Sequence, residues 1–167
     1  NSSSQAVRPM LVSLPKADLL ANPPSAARRK FFSNLTYATN GVILQPAVCV
    51  DGSASGAVLA VSDLGNDFVP HTTLTGLFIT NAATASPALT PVQTLTVPAY
   101  TIPINPPQPS NITTLDDGDA RFSAATRVVG GVLYAVHNIE VNSRGALRWY
   151  RVNATNFNVI ESGTITD

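Results

Sequence analysis

Charge is scarce in this sequence: Asp, Glu, Lys and Arg make up 12% of its 167 residues, about half the usual share. Ten basic residues balance ten acidic ones, so no net field draws in a phosphate backbone or an anionic surface, and nucleic acid is not an expected partner. Cysteine is reduced to one, Cys49, which rules out an internal disulfide; within "QPAVCVD" it has no clustered metal or redox partners and reads as a small buried strand residue. No apolar run approaches the roughly 20 residues that a membrane-spanning helix needs. The opening "NSSSQAV" lacks an initiator Met, a basic segment and an apolar leader core, which points to a processed chain or a piece of a longer one. Nucleophile elbow, P-loop, dinucleotide fingerprint and Cys–His cluster are all missing, so no catalytic residue is assigned and an enzyme is not the expectation.

What is present favours strands. Hydrophobic residues make up 44%, enough for a core in a chain of single-domain length. Pro (13) and Gly (10), with many Thr, Ser, Asn and Val, disfavour helices, and the class reading is all-β.

The chain also echoes itself, which is the mark of a stacked architecture. "GAVLAVSD" (56–63) lies over "GVLYAVHN" (131–138), "LTGLFITNA" (74–82) over "ALRWYRVNA" (146–154), and "VQTLTV" (92–97) over "IESGTI" (160–165). An apolar run precedes each set, "PAVCVD" (46–51) and "SAATRVV" (123–129), joined by "GSASG" and "GG" turns. Each set predicts four short antiparallel strands in a meander. The Pro-rich "PAYTIPINPPQPSNITTLDDGDAR" (98–121) has prolines at 98, 103, 106, 107 and 109; without amide donors it predicts an extended crossing rather than a central strand. Upstream, "MLVSL" predicts a strand, "KADLLA" a helical turn and "FFSNLTYA" another strand. The expected organisation is a partial blade with its connection (1–45), a blade (46–97), the crossing with an acidic turn (98–121) and a second blade (122–167) of a β-propeller segment. Two complete four-stranded blades and a partial one do not close a ring of roughly four to eight.

The succession "KADLLA", "LQPAVCVD", "AVLAVSDLG", "LTVPAYTIPINPPQP", "LDDGDARFSAATRVVGGVLYAVHNIEVNSRGALRWYRVN" and "VIESGTITD" resembles a group of secreted, largely uncharacterised β-propeller-type proteins. The resemblance spans most of 16–167 and is strongest from Asp116 to Asp167. It implies a propeller fold and export, to the periplasm or cell surface in a bacterium, and it brings no catalytic residues with it. Some relatives are labelled sialidase-like; the Asp-box that would support the label is absent here, and "DGSASG" does not satisfy it.

Candidate sites are few. His71 and His137 are the two histidines. His137 ends a strand and reads as a structural residue or a channel-lining one; His71, in "NDFVPHTT", reads as exposed in a polar hairpin. Asp116, Asp117 and Asp119 of "DDGD" form a candidate calcium site, although Asp and Gly serve a tight turn for backbone reasons alone and no Glu completes an EF-hand. Arg121 is expected to pair with one of these aspartates or a facing carbonyl. In "ALRWYRV" the period of two sets Leu147, Trp149 and Arg151 on one face, and Arg148, Tyr150 and Val152 on the other. Sequons at Asn1, Asn34, Asn111 and Asn153 are compatible with glycosylation.

Two functions compete. The first is an extracellular structural or interaction module, part of a propeller completed by another protein chain, another copy or the remainder of its parent. The alternative is a glycan-binding or sialidase-like glycan-acting propeller whose axial pocket gathers Asp63, Arg121 and His137.

Overall fold

A computed structural model of the chain describes residues 8–53, 56–62, 69–106, 114–116 and 118–166. The strands are β1 (Leu11–Ser13), β2 (Lys30–Phe32), β3 (Val42–Pro46), β4 (Val48–Cys49), β5 (Ala57–Val61), β6 (His71–Thr80), β7 (Ala88–Leu89), β8 (Gln93–Tyr100), β9 (Arg127–Val129), β10 (Val132–Val141), β11 (Arg144–Asn153) and β12 (Val159–Ile165). Two single helical turns accompany them, α1 (Lys16–Leu19) and α2 (Tyr37–Asn40). The protein is all-β.

Three sheets are stacked. β1 and β2 form an N-terminal ribbon. The first large sheet runs β3-β5-β6, with β7 and β8 both paired to β6. The second runs β12-β11-β10-β9-β4. Each large sheet thus has five strands, one more than the meander reading gives. The layer order follows from which side chains meet. Leu11 and Leu35 pack on Val58 and Leu77 of the first sheet. On that sheet's opposite face, Ala57, Leu59, Val61, Leu74 and Leu95 share a core with Leu133, Ala135, Tyr150 and Val152 of the second. Strand β5, "AVLAV", is buried along its whole length because it has a layer on each side. That explains its unbroken apolar run.

Alternation shapes the second sheet. Along β10, Leu133, Ala135, His137 and Ile139 turn inward while Tyr134, Val136 and Asn138 turn out. The β10–β11 hairpin closes through Asn142 and Ser143, both at positive φ (52° and 60°), the two-residue turn whose twist matches the strands it joins.

Several local expectations change. "PAVCVD" is not one strand: Pro46 pairs with Val58 in the first sheet, whereas Val48 and Cys49 pair in parallel with Arg127 and Val128 in the second. The chain between β3 and β4 therefore crosses from one sheet to the other. In "FFSNLTYA" the strand ends at Phe32, and residues 37–40 form α2, whose Asn40 Oδ1 accepts the Thr36 amide at 2.9 Å. Pro98 lies inside β8, near the register shift in its pairing with β6, where a missing amide donor is tolerated. The match of 74–82 to 146–154 slips by three positions. Val61 faces Leu74 and Val136 faces Trp149, so laying Val61 on Val136 puts Leu74 on Trp149 rather than on Ala146. The overlay of 92–97 on 160–165 agrees with the ladders, since Leu95 lies opposite Leu74 and Gly163 opposite Trp149.

Candidate functional site

His137 sits where the two large sheets meet. Its Nδ1–H donates to the Ala120 carbonyl at 2.6 Å, so Nε2 must accept, and the Tyr150 hydroxyl donates to it at 3.0 Å. Tyr100 meets the ring edge-on at 4.8 Å between centroids, and Phe122 lies 5.2 Å away. Burial pushes the imidazole pKa down to about 4; the Ala120 bond opposes this and the Arg148 charge adds to it. Burial likewise pushes the Tyr150 phenol up. A neutral ring with both nitrogens occupied can hold strands in place but has no nitrogen to offer a substrate. His71 is the surprise of the pair. It opens β6 half-buried with its ring 5.8 Å from Tyr100, instead of standing in an exposed hairpin. The cause is its pairing with Tyr100 in the β6–β8 ladder, at a distance along the chain that local patterning does not encode.

The remaining predicted residues lie elsewhere. Arg121 is exposed and its guanidinium grips the Asp119 carboxylate, with Nε at 2.7 and 2.8 Å from the two oxygens. Asp119 Oδ1 also accepts the Arg121 amide, and Asp116 Oδ1 accepts the Gly118 amide at 2.8 Å. These are turn contacts, and no group of three metal-ligating side chains occurs among the described residues. Asp63, Asp117 and Asn111 lie outside the described residues, as does Asn1. Asn34 is exposed; Asn153 is half-buried, its Oδ1 accepting the Thr155 amide at 2.9 Å and hydroxyl at 2.7 Å. Arg121 and His137 thus bond different partners.

A contact the sequence did not reveal ties the loop after β4 to the β9–β10 turn. Asp51 Oδ1 accepts the Ser53 amide at 3.0 Å and hydroxyl at 2.6 Å, while Oδ2 accepts the Gly130 amide at 2.6 Å. Ser53 Oγ in turn accepts the Gly131 amide at 2.9 Å. The Gly130 amide and the Ser53 donors hold this carboxylate well below the usual carboxylate range. In "DGSASG" only a turn is legible, because the partners lie nearly eighty residues away.

The most distinctive surface is the outer face of the second sheet. Tyr134, Val136, Leu147 and Trp149 turn away from the core there, with Tyr134 43% and Leu147 40% exposed. The Trp149 ring lies against Gly163 on β12; a Cβ at that glycine would come within 2.5 Å of the ring. Beside it runs a shallow groove of about 400 Å³, lined mostly by carbon, whose walls include Arg127, Tyr134, Val136, Trp149 and Arg151. Val129 and Ile165, 46% and 58% exposed, extend the apolar area at its margins, and Arg151 pairs with Glu161 at 2.7 Å. A second, wider cleft of about 770 Å³ lies between Lys16, Phe78, Asn81 and Thr155. Its lining is mainly apolar, with Leu14, Phe78 and Ile79 beside small and polar residues, and it has no convergent set of charges among the described residues.

No family model matches this chain, and no curated protein or solved structure does either.

Proposed function

We propose that this protein is an extracellular interaction module, a β-propeller-type segment whose stack of sheets is completed by another chain, another copy or a further part of the same protein. The observation that carries this reading is the outer face of the second sheet: Tyr134 and Leu147, exposed, and Val136 and Trp149, half-buried, form an apolar surface on the side turned away from the shared core. A contiguous patch of this kind marks an interaction site. The balanced charge of the chain fits an apolar interface rather than a phosphate-bearing or anionic partner. The calcium reading of the acidic turn adds nothing to this function, and the sequons at Asn34 and Asn153 agree with export.

The glycan-acting alternative draws less support. Its axial pocket needs Arg121 and His137 to converge, and the first is bound to Asp119 while the second is enclosed by Ala120, Tyr100, Phe122 and Tyr150.

Binding of an environment-sensitive hydrophobic dye, followed together with sedimentation velocity over a wide concentration range, tests the module. The unmodified chain should bind dye and associate as concentration rises. The double substitution Tyr134→Lys and Trp149→Lys should abolish both while leaving the circular dichroism unchanged. A chain that stays monomeric and binds no more dye than the double variant sinks the proposal.

A further inference from the structure

The charges of this chain cancel only in sum. Residues 1–45 carry Arg8, Lys16, Arg28, Arg29 and Lys30 against one carboxylate, Asp18, whereas residues 46–167 carry five basic residues against nine acidic ones. The fold turns this division along the chain into one in space, because the N-terminal ribbon forms the layer at one end of the stack. A molecule so divided feels no net pull, yet its dipole turns the ribbon first toward a negatively charged surface. Asp18 is engaged by Arg28, whose Nε lies 2.8 Å from the carboxylate; Arg8, Lys16, Arg29 and Lys30 are exposed and pair with no carboxylate among the described residues.

Between these cations the ribbon is apolar on its outer side. In the β1–β2 register Leu11 lies opposite Phe32 and Val12 opposite Phe31. Leu11 and Phe32 turn inward and pack with Val58 and Leu77, so Val12 and Phe31 turn outward; both are about half exposed, as is Met10 just before the strand. The Arg29 guanidinium stands 5.7 Å from the centre of the Phe31 ring, which presents cation and aromatic together. The Asp18–Arg28 pair holds α1 near the start of β2, and Leu19 and Leu20 at the end of α1 are exposed as well. None of these apolar side chains lines either cleft described above.

We infer that the outer side of the N-terminal ribbon seats on an anionic lipid surface, with Met10, Val12 and Phe31 entering the headgroup region and Arg8, Lys16, Arg29 and Lys30 meeting the phosphates. Projecting apolar side chains set among cations suit an occupant that closes around them and brings negative charge. A bilayer does both without a prebuilt pocket, which a folded acidic protein would need to supply. The inference goes beyond the interaction module. The ribbon and the outer face of the second sheet lie at opposite ends of the stack, so a seated ribbon leaves the groove beside Trp149 open to a partner.

Co-sedimentation of the full chain with lipid vesicles tests this. Vesicles of phosphatidylcholine mixed with phosphatidylglycerol should carry the protein down, vesicles of phosphatidylcholine alone should not, and added salt should release it. Arg29→Ala and Lys30→Ala should each weaken binding about fivefold. Phe31→Ser should weaken it too, with the circular dichroism unchanged. In a Trp149→Phe background, Phe31→Trp places one tryptophan on the ribbon. Its emission should move to the blue on the mixed vesicles and be quenched by lipids brominated in the acyl chain, whereas Trp149 of the unmodified chain should not respond. Equal binding to the two kinds of vesicle, or binding to neither, overturns the inference, and this comparison on the unmodified chain decides even where a variant fails to fold. Quenching of Trp149 in place of the introduced tryptophan overturns it as well, by assigning the lipid contact to the second sheet. Retention on immobilised polyglutamate without vesicle binding overturns it in favour of an acidic polypeptide. The dye and sedimentation measurements, made without lipid, judge the module separately.

Discussion

Protonating His137 would break its bond from Tyr150 and set a charge against Arg148 inside an aromatic cluster, so acid should act on this residue first. The sign of the effect follows from the depressed pKa. At about 4 in the folded protein against about 6.5 in the unfolded chain, the unfolded state binds the proton more readily. The stabilisation is complete above pH 6.5 and is lost as the pH falls from there to about 4, some 3 kcal/mol in all. Urea unfolding between pH 7 and pH 4 should show this loss, and His137→Asn should flatten it; equal slopes for the two proteins would refute the assignment. Tyr150→Phe removes the donor to Nε2 and leaves a buried acceptor unsatisfied, with an expected cost of about 1–3 kcal/mol at neutral pH. Patterning ends the strand at His137, whereas the residue stands inside β10, which runs on to Val141 because it pairs with β11 along its whole length; the two hydrogen bonds that set its tautomer come from Ala120 and Tyr150, on other parts of the fold.

At the level of elements, the packing of sheet on sheet depends on glycines that leave room for rings. Gly76→Ala would set a Cβ 2.9 Å from Phe157, and neither the strand nor the packed ring can retreat freely. The expected loss is about 1–3 kcal/mol, as for other overpacked cores. Phe157→Leu should relieve part of that clash, so the double variant should lose less than the two single variants summed, a coupling that thermal unfolding of all four proteins would measure. Additive losses would show that Phe157 does not bear on Gly76. Gly163→Ala should act differently: it displaces Trp149 from an outer face, so the emission spectrum should change more than the stability. The long strands were legible in the sequence because β10 and β11 alternate cleanly, inward against outward. The slip of three in matching 74–82 to 146–154 arose because Asn81-Ala82 echoes Asn153-Ala154, an identity of residues that the ladders do not share. The break inside "PAVCVD" was illegible for a deeper reason: β4, two residues long, is a separate strand only because β9 lies beside it.

Across the molecule, the two large sheets are fastened at several separate places. Glu140 donates its amide to the Thr101 carbonyl at 3.1 Å, the facing side chains of the two sheets share one core, and the chain itself passes from β3 in one sheet to β4 in the other. Denaturant should therefore unfold both sheets in one transition, with Trp149 fluorescence and far-ultraviolet circular dichroism tracing the same curve. Two separated curves would show that the sheets melt independently. The crossing from β3 to β4 has a further result for a nicked protein. A single peptide bond cut in the connection between β8 and β9 leaves the N-terminal fragment still contributing an edge strand to the C-terminal one. The halves should co-elute after nicking and, once separated in denaturant, recover their joint spectrum only when remixed, so that neither piece is heritable or tradable as an independent building block.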